Sequence, residues 1–119
     1  MTKKSEIGIA GEEAGAKYLK SIGYKVLERN YRQKFGEIDI VALDSKKILV
    51  LFEVKTVAGE DPMFTSEDQM TKQKTFKTRR IAEFYANNHE SLSKKGWRID
   101  LLAIKIVGDK YRIKHYENI

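Results

Sequence analysis

The chain has 119 residues, no cysteine and a net charge of +6, with a pI near 9.4. The missing cysteine excludes disulfides and thiolate metal sites, and no apolar run approaches the ~20 residues that a membrane span needs. The length suits one domain over 1–119, the N-terminus Met1-Thr2-Lys3-Lys4 lacks the apolar core of a signal peptide, so a cytoplasmic location is expected, and the basic balance favours an acidic partner such as nucleic acid.

Residues 5–22 have helical spacing. Ile7, Ala10, Ala14, Tyr18 and Ile22 form an apolar stripe. Ser5 is a suitable cap, and Gly23 stands where a C′ glycine belongs. Gly8, Gly11 and Gly15 each cost about 1 kcal/mol against Ala in a helix, so a close approach is expected there. Glu12 projects from that small-residue face.

A first strand is expected over Tyr24–Tyr31 and a second over Glu37–Leu43. In the second, Ile38, Ile40 and Ala42 would share one face, and Glu37, Asp39, Val41 and Leu43 the other. Asp44-Ser45-Lys46-Lys47 has turn chemistry. Ile48–Thr56 is apolar on both faces for most of its length, as a central strand would be. Directly paired residues point to the same face. If Leu43 pairs with Leu49, Asp39 therefore falls opposite Glu53. An odd connection or a bulge is required for Asp39, Glu53 and Lys55 to share a face.

Val57–Thr65 contains the single proline, Pro62, and reads as a loop flanking a site. Ser66-Glu67-Asp68-Gln69 fits a capping box for a second helix reaching about Asn88, with Lys74, Thr78, Ile81 and Tyr85 on one stripe and Ala82 and Phe84 beside it. Lys72, Lys74, Lys77, Arg79 and Arg80 give it a basic stretch suited to phosphate contacts. Glu90–Gly96 is a loop, Trp97–Val107 a fourth strand, Gly108-Asp109 a hairpin turn, and Tyr111–Tyr116 an edge strand. The order indicates an α/β domain, a mixed sheet flanked by helices. There is no glycine-rich phosphate loop or dinucleotide fingerprint.

Asp39, Glu53 and Lys55 stand inside apolar strands, where a charge is costly unless paired or metal-bound. Two carboxylates with the Val54 carbonyl would suit a hard cation, Mg²⁺ or Mn²⁺. Lys55, two residues beyond Glu53, would orient or help deprotonate an attacking water, or neutralise charge on the phosphate. Glu12 could reach the same ion from the first helix. A structural ion pair between Glu53 and a basic residue is the competing reading of the spacing.

The motifs Gly8-Ile9-Ala10-Gly11-Glu12-Glu13-Ala14, Arg29-Asn30-Tyr31-Arg32, Gly36-Glu37-Ile38-Asp39-Ile40-Val41-Ala42 and Phe52-Glu53-Val54-Lys55-Thr56 stand in order. In this combination the chain resembles the YraN-like family of small bacterial proteins, itself similar to the PD-(D/E)XK, or restriction-endonuclease-like, superfamily and its Holliday-junction-resolvase branch. The resemblance implies a metal-dependent DNA endonuclease, structure-selective and serving repair or recombination. Asp39, Glu53 and Lys55 would be its core motif and Glu12 the resolvase glutamate. Val57 stands where the family often carries a basic residue. A junction-type substrate would call for a homodimer. The rival expectations are a nucleic-acid-binding module with a relic site, and an adaptor docking an acidic protein surface.

Overall fold

The computed structural model describes residues 6–59 and 72–119, apart from the side chains of 72–76, and these described residues form seven principal elements and one helical turn. They are α1 (Glu6–Ser21), β1 (Lys25–Gln33), β2 (Gly36–Leu43), β3 (Leu49–Ala58), α2 (Lys72–Asn87), the single turn α3 (Glu90–Ser93), β4 (Trp97–Val107) and β5 (Lys110–Tyr116). The strands lie side by side in chain order, with β3 at the centre. β3 and β4 are parallel, and every other neighbouring pair is antiparallel. A parallel pair needs a long crossover, and α2 lies within it. The fold is therefore α/β, a mixed five-stranded sheet with helices on both faces.

α1 corrects the expected apolar stripe. Its buried residues are Gly11, Glu12, Gly15, Ala16 and Leu19, while Ile7, Ile9 and Ile22 are exposed. The glycines decide this. A Cβ on Gly11 would overlap the Thr56 side chain of β3, and one on Gly15 would come within 3.3 Å of both Leu102 and Ile104. The helix backbone rests directly on the sheet, which a larger apolar stripe could not allow. Leu19 is fully buried there, worth roughly 2 kcal/mol. The helix ends as expected. Gly23 has φ +97, its N–H donates to the Lys20 carbonyl, and the Tyr24 N–H donates to the Leu19 carbonyl at 2.9 Å.

The α1 face of the sheet carries Ile40, Ala42, Val50, Phe52, Leu102 and Ile104, packed on Ala16 and Leu19. The opposite face carries Ile38, Val41, Leu49, Leu51 and Ile99, packed on Ile81, Ala82, Tyr85 and Ala86 of α2. Thr78, Ile81 and Tyr85 are buried as expected, whereas Phe84 turns outward and meets Phe35 edge-on at 5.2 Å. Residues 90–93 wind into a helical turn where a loop was expected. Ser5, the capping box Ser66–Gln69 and most of the Val57–Thr65 loop lie outside the described residues; Val57 and Ala58 belong to β3.

Candidate active site

The five-residue connection 44–48 meets the odd-loop condition. Leu43 pairs with Leu49, and the register continues to Ile40 with Phe52. Asp44 sets this turn: its Oδ1 accepts the N–H groups of Lys46 and Ile48, each at 2.9 Å. Beyond Ile40 the ladder gives way. The Val54 N–H donates to Asp39 Oδ2 at 2.7 Å, where a continued ladder would offer the Ile38 carbonyl. A strand N–H lies in the plane of its sheet. The Asp39 carboxylate therefore sits in that plane, in a fork between β2 and β3, and Asp39 is only 6% exposed.

The fork coincides with a reversal of the β1–β2 ribbon. Ile38 belongs to the α2-side core and Ile40 to the α1-side core. Two residues apart, they were expected on one face. Their partners follow them: Tyr31, paired with Ile38, packs on Tyr85 of α2, and Arg29, paired with Ile40, reaches Glu13 of α1 at 2.9 Å. Between those two partners stands Asn30 at φ +57, a left-handed conformation that asparagine tolerates better than most residues. The ribbon turns over at the level of Asn30 and Asp39, which breaks the expected alternation.

Glu53 and Lys55 alternate with Phe52, Val54 and Thr56. Phe52 and Val54 belong to the α1 side and Thr56 meets Gly11 of α1, so Glu53 and Lys55 point to the α2 side. Glu53 is half-buried and Lys55 exposed. Glu12, 5% exposed, comes from the other layer, one residue beyond the Gly11–Thr56 contact. Glu12, Asp39 and Glu53 each have interaction partners within the chain. Asp39 and Glu53 thus stand on adjoining strands, with Lys55 on the Glu53 face, Asp39 in the plane of the sheet rather than on that face, and Glu12 in the helical layer on the other side.

Lys72, Lys74, Lys77, Arg79 and Arg80 all lie on α2. Lys77, Arg79 and Arg80 are exposed. Arg80 lies 4.7 Å from the Phe35 ring centroid, so part of its surface is spent on packing.

A second charged cluster runs along the α1 face from Asp100, paired with Phe52, toward Asp44 in the turn, and sequence reading gave it no role. Asp100 is fully buried. Its carboxylate accepts from Arg98 Nε at 3.0 Å, from the Asn118 N–H at 2.9 Å, and from His115 Nε2 at 2.7 Å. Arg98 also bonds Asp44 Oδ2 at 3.0 Å and the Tyr24 hydroxyl at 2.9 Å. Burial alone would raise the Asp100 pKa; the bonds from His115, Asn118 and Arg98 outweigh it and hold the carboxyl below its ordinary 3.8. Asp100, His115 and Glu117 bring ligand atoms within 4.8 Å of one another, but the Arg98 guanidinium already supplies the positive charge. We read the cluster as an internal ion network. An aspartate opening the apolar run of β4 was the one signal of it.

Among solved structures, a repair endonuclease from Pyrococcus abyssi superposes with a TM-score of 0.49 at 14% identity, covering 91% of this chain and 41% of that one. The sequence is 40% identical over 116 residues to a UPF0102 protein of a Sulfurihydrogenibium species, covering 97% of this chain and 94% of the relative. It is 32% identical over 118 residues to a UPF0102 protein of Desulforamulus reducens, covering 98% and 96%. Residues 11–104 match the uncharacterised protein family UPF0102, and the chain belongs to that family, the YraN-like one its motifs resemble.

Proposed function

We propose that the chain is a divalent-metal-dependent nuclease that hydrolyses phosphodiester bonds of DNA, cutting structured substrates in repair or recombination. The observation that carries this reading is the fork, where the Asp39 carboxylate takes the Val54 N–H in place of a main-chain carbonyl, beside the strand bearing Glu53 and Lys55. The N–H and carbonyl of one strand residue open to the same side, so the Val54 carbonyl faces the fork as well. Asp39, Glu53 and Val54 then offer oxygen donors only, with Glu12 as a further carboxylate. That set suits Mg²⁺ or Mn²⁺ better than a softer metal.

An ion held there would supply Lewis acidity toward the phosphate and a more acidic bound water. The residues of the chain do the rest. Asp39 is fixed by its bond from Val54. Lys55, exposed on the Glu53 face, would orient the attacking water and offset charge on the phosphate oxygens. The water oxygen bonds to phosphorus as the bond to the leaving sugar oxygen breaks. Lys72, Lys74, Lys77, Arg79 and Arg80 would hold flanking phosphates without reading sequence, and paired cuts in a junction would use two copies of the chain.

The test is incubation with supercoiled, linear, flapped and four-way-junction DNA in Mg²⁺, Mn²⁺ or EDTA. Wild type should cut only with metal, and Lys55→Ala should fall by roughly 100-fold. Equal cutting by wild type and Glu53→Ala would point to a contaminant and sink the assignment. Salt-sensitive binding without cutting would leave only a binding module.

A further inference from the structure

The sheet face that carries Glu53 and Lys55 continues past α2 onto the β4–β5 hairpin. The register fixes what stands there. Lys55 pairs with Ala103, which pairs with Lys114; Val57 pairs with Lys105, which pairs with Arg112; Lys110 pairs with Val107. Paired residues share a face. Lys55, Lys105, Lys110, Arg112 and Lys114 therefore all project from the α2 side of the sheet. The odd-numbered residues of β5 confirm the alternation, because Tyr111 and Ile113 line a cavity against α1 on the other side.

This stretch of sheet is uncovered by the described core. No β5 residue belongs to the cluster under α2. Lys55, Lys110, Arg112 and Lys114 are exposed and Lys105 is half-buried. Among the described residues, none of the five takes part in an ion pair. Asp109, in the hairpin turn, is the sole acid between Ala103 and Tyr116. Unpaired like charges on one face repel one another, so the arrangement favours a polyanion that neutralises them. Lys110, Arg112 and Lys114 recur every second residue, roughly 6.8 Å apart along the strand, a step comparable to that between neighbouring phosphates. None of the five positions is aromatic, so this row lacks the rings on which a single-strand platform stacks successive bases.

We infer that this face seats the backbone of duplex nucleic acid, resting on the substrate class proposed for the fork and leading the duplex toward Lys55. The hairpin, rather than α2 alone, is then a phosphate track. It grips without sequence preference.

Binding is measured with a fluorescent duplex in EDTA, where no cutting intervenes, across a salt series. Neutralising Lys110, Arg112 and Lys114 together to Gln should weaken binding at least tenfold and flatten the plot of log affinity against log salt by about 2.7, for three lost contacts. The charge-matched control is Lys46→Gln with Lys94→Gln and Lys95→Gln, at the other end of the sheet, and it should bind nearly as wild type. Equal losses in the two variants would mean bulk charge and overturn the assignment, as would tighter binding of single strand than of duplex. Wild-type protein gives a second readout that needs no variant. Bound duplex should shield Lys110 and Lys114, but not Lys94 and Lys95, from amine acetylation, and the reverse pattern overturns the proposal. Selective loss in the hairpin variant, with no cutting by wild type in metal, would keep this surface and remove the nuclease reading.

Discussion

The main-chain N–H of Val54 and the carboxylate of Asp39 are joined at 2.7 Å, so the residue expected to hold a metal also closes the gap left where β2 parts from β3. Its two duties can be separated. Asp39→Ala leaves a strand N–H without its acceptor and should cost about 1–3 kcal/mol, read as a lower unfolding midpoint in urea. Asp39→Asn keeps an acceptor oxygen and loses the charge. It should unfold near wild type while losing metal-dependent cutting. An Asn variant as unstable as the Ala variant would mean that the charge itself holds the fork.

The turnover of the β1–β2 ribbon rests on Asn30 at φ +57. Left-handed backbone costs most L-residues roughly 1–2 kcal/mol, and glycine very little. Asn30→Gly should therefore unfold close to wild type and Asn30→Val about 1–2 kcal/mol earlier. Equal stability of the two would show that the reversal does not depend on this conformation.

The β2–β3 and β4–β5 hairpins, the central place of β3 and the face shared by Glu53 and Lys55 were legible because they follow from turn length and from a period of two. The face of Ile38 was not. One left-handed residue on the neighbouring strand reverses it, and Asn30 looks like any polar strand residue until its φ is seen. The buried stripe of α1 was misjudged for a related reason. Hydrophobicity marked Ile7 and Ile22, but backbone contact with Thr56 selects residues by smallness, and only the glycines carried that signal. The Arg98 network joins Asp44, Arg98 and His115 across long stretches of sequence, and no local pattern announces such a meeting.

Gly11 and Gly15 should differ sharply in what they tolerate. Alanine improves helix propensity by about 1 kcal/mol at either site. At Gly11 the new Cβ would overlap Thr56 Oγ1, Cγ2 and Cβ. Moving the helix off the sheet should outweigh the gain, for a net loss of about 1–3 kcal/mol. At Gly15 the neighbours are the ends of Leu102 and Ile104 at 3.3 Å, which can shift, so Gly15→Ala should cost clearly less. Thr56→Ala should rescue Gly11→Ala only in part, because Thr56 Cβ itself would lie 2.8 Å from the added carbon. Full rescue in a double-mutant cycle would place the obstruction wholly in the Thr56 hydroxyl and methyl.

The Arg98 network should give the fold an acid-sensitive edge. Asp100 and Asp44 both titrate below their ordinary 3.8, despite the burial that opposes it. For a carboxyl whose folded pKa is depressed, stabilisation is complete above the unfolded pKa and disappears as the pH falls through the folded one. Wild type should therefore hold its stability down to about pH 4 and lose it progressively below that. Asp100→Asn should flatten this decline while lowering stability at pH 7, where it removes a charge that Arg98 faces at 3.0 Å. Arg98→Met leaves Asp100 buried without its cation, and at pH 7 should cost about 3 kcal/mol or more. Urea unfolding at pH 3, 4, 5 and 7 separates these cases. An Asp100→Asn curve parallel to wild type across that range would assign the acid sensitivity to other carboxylates and leave the network a matter of hydrogen bonding alone.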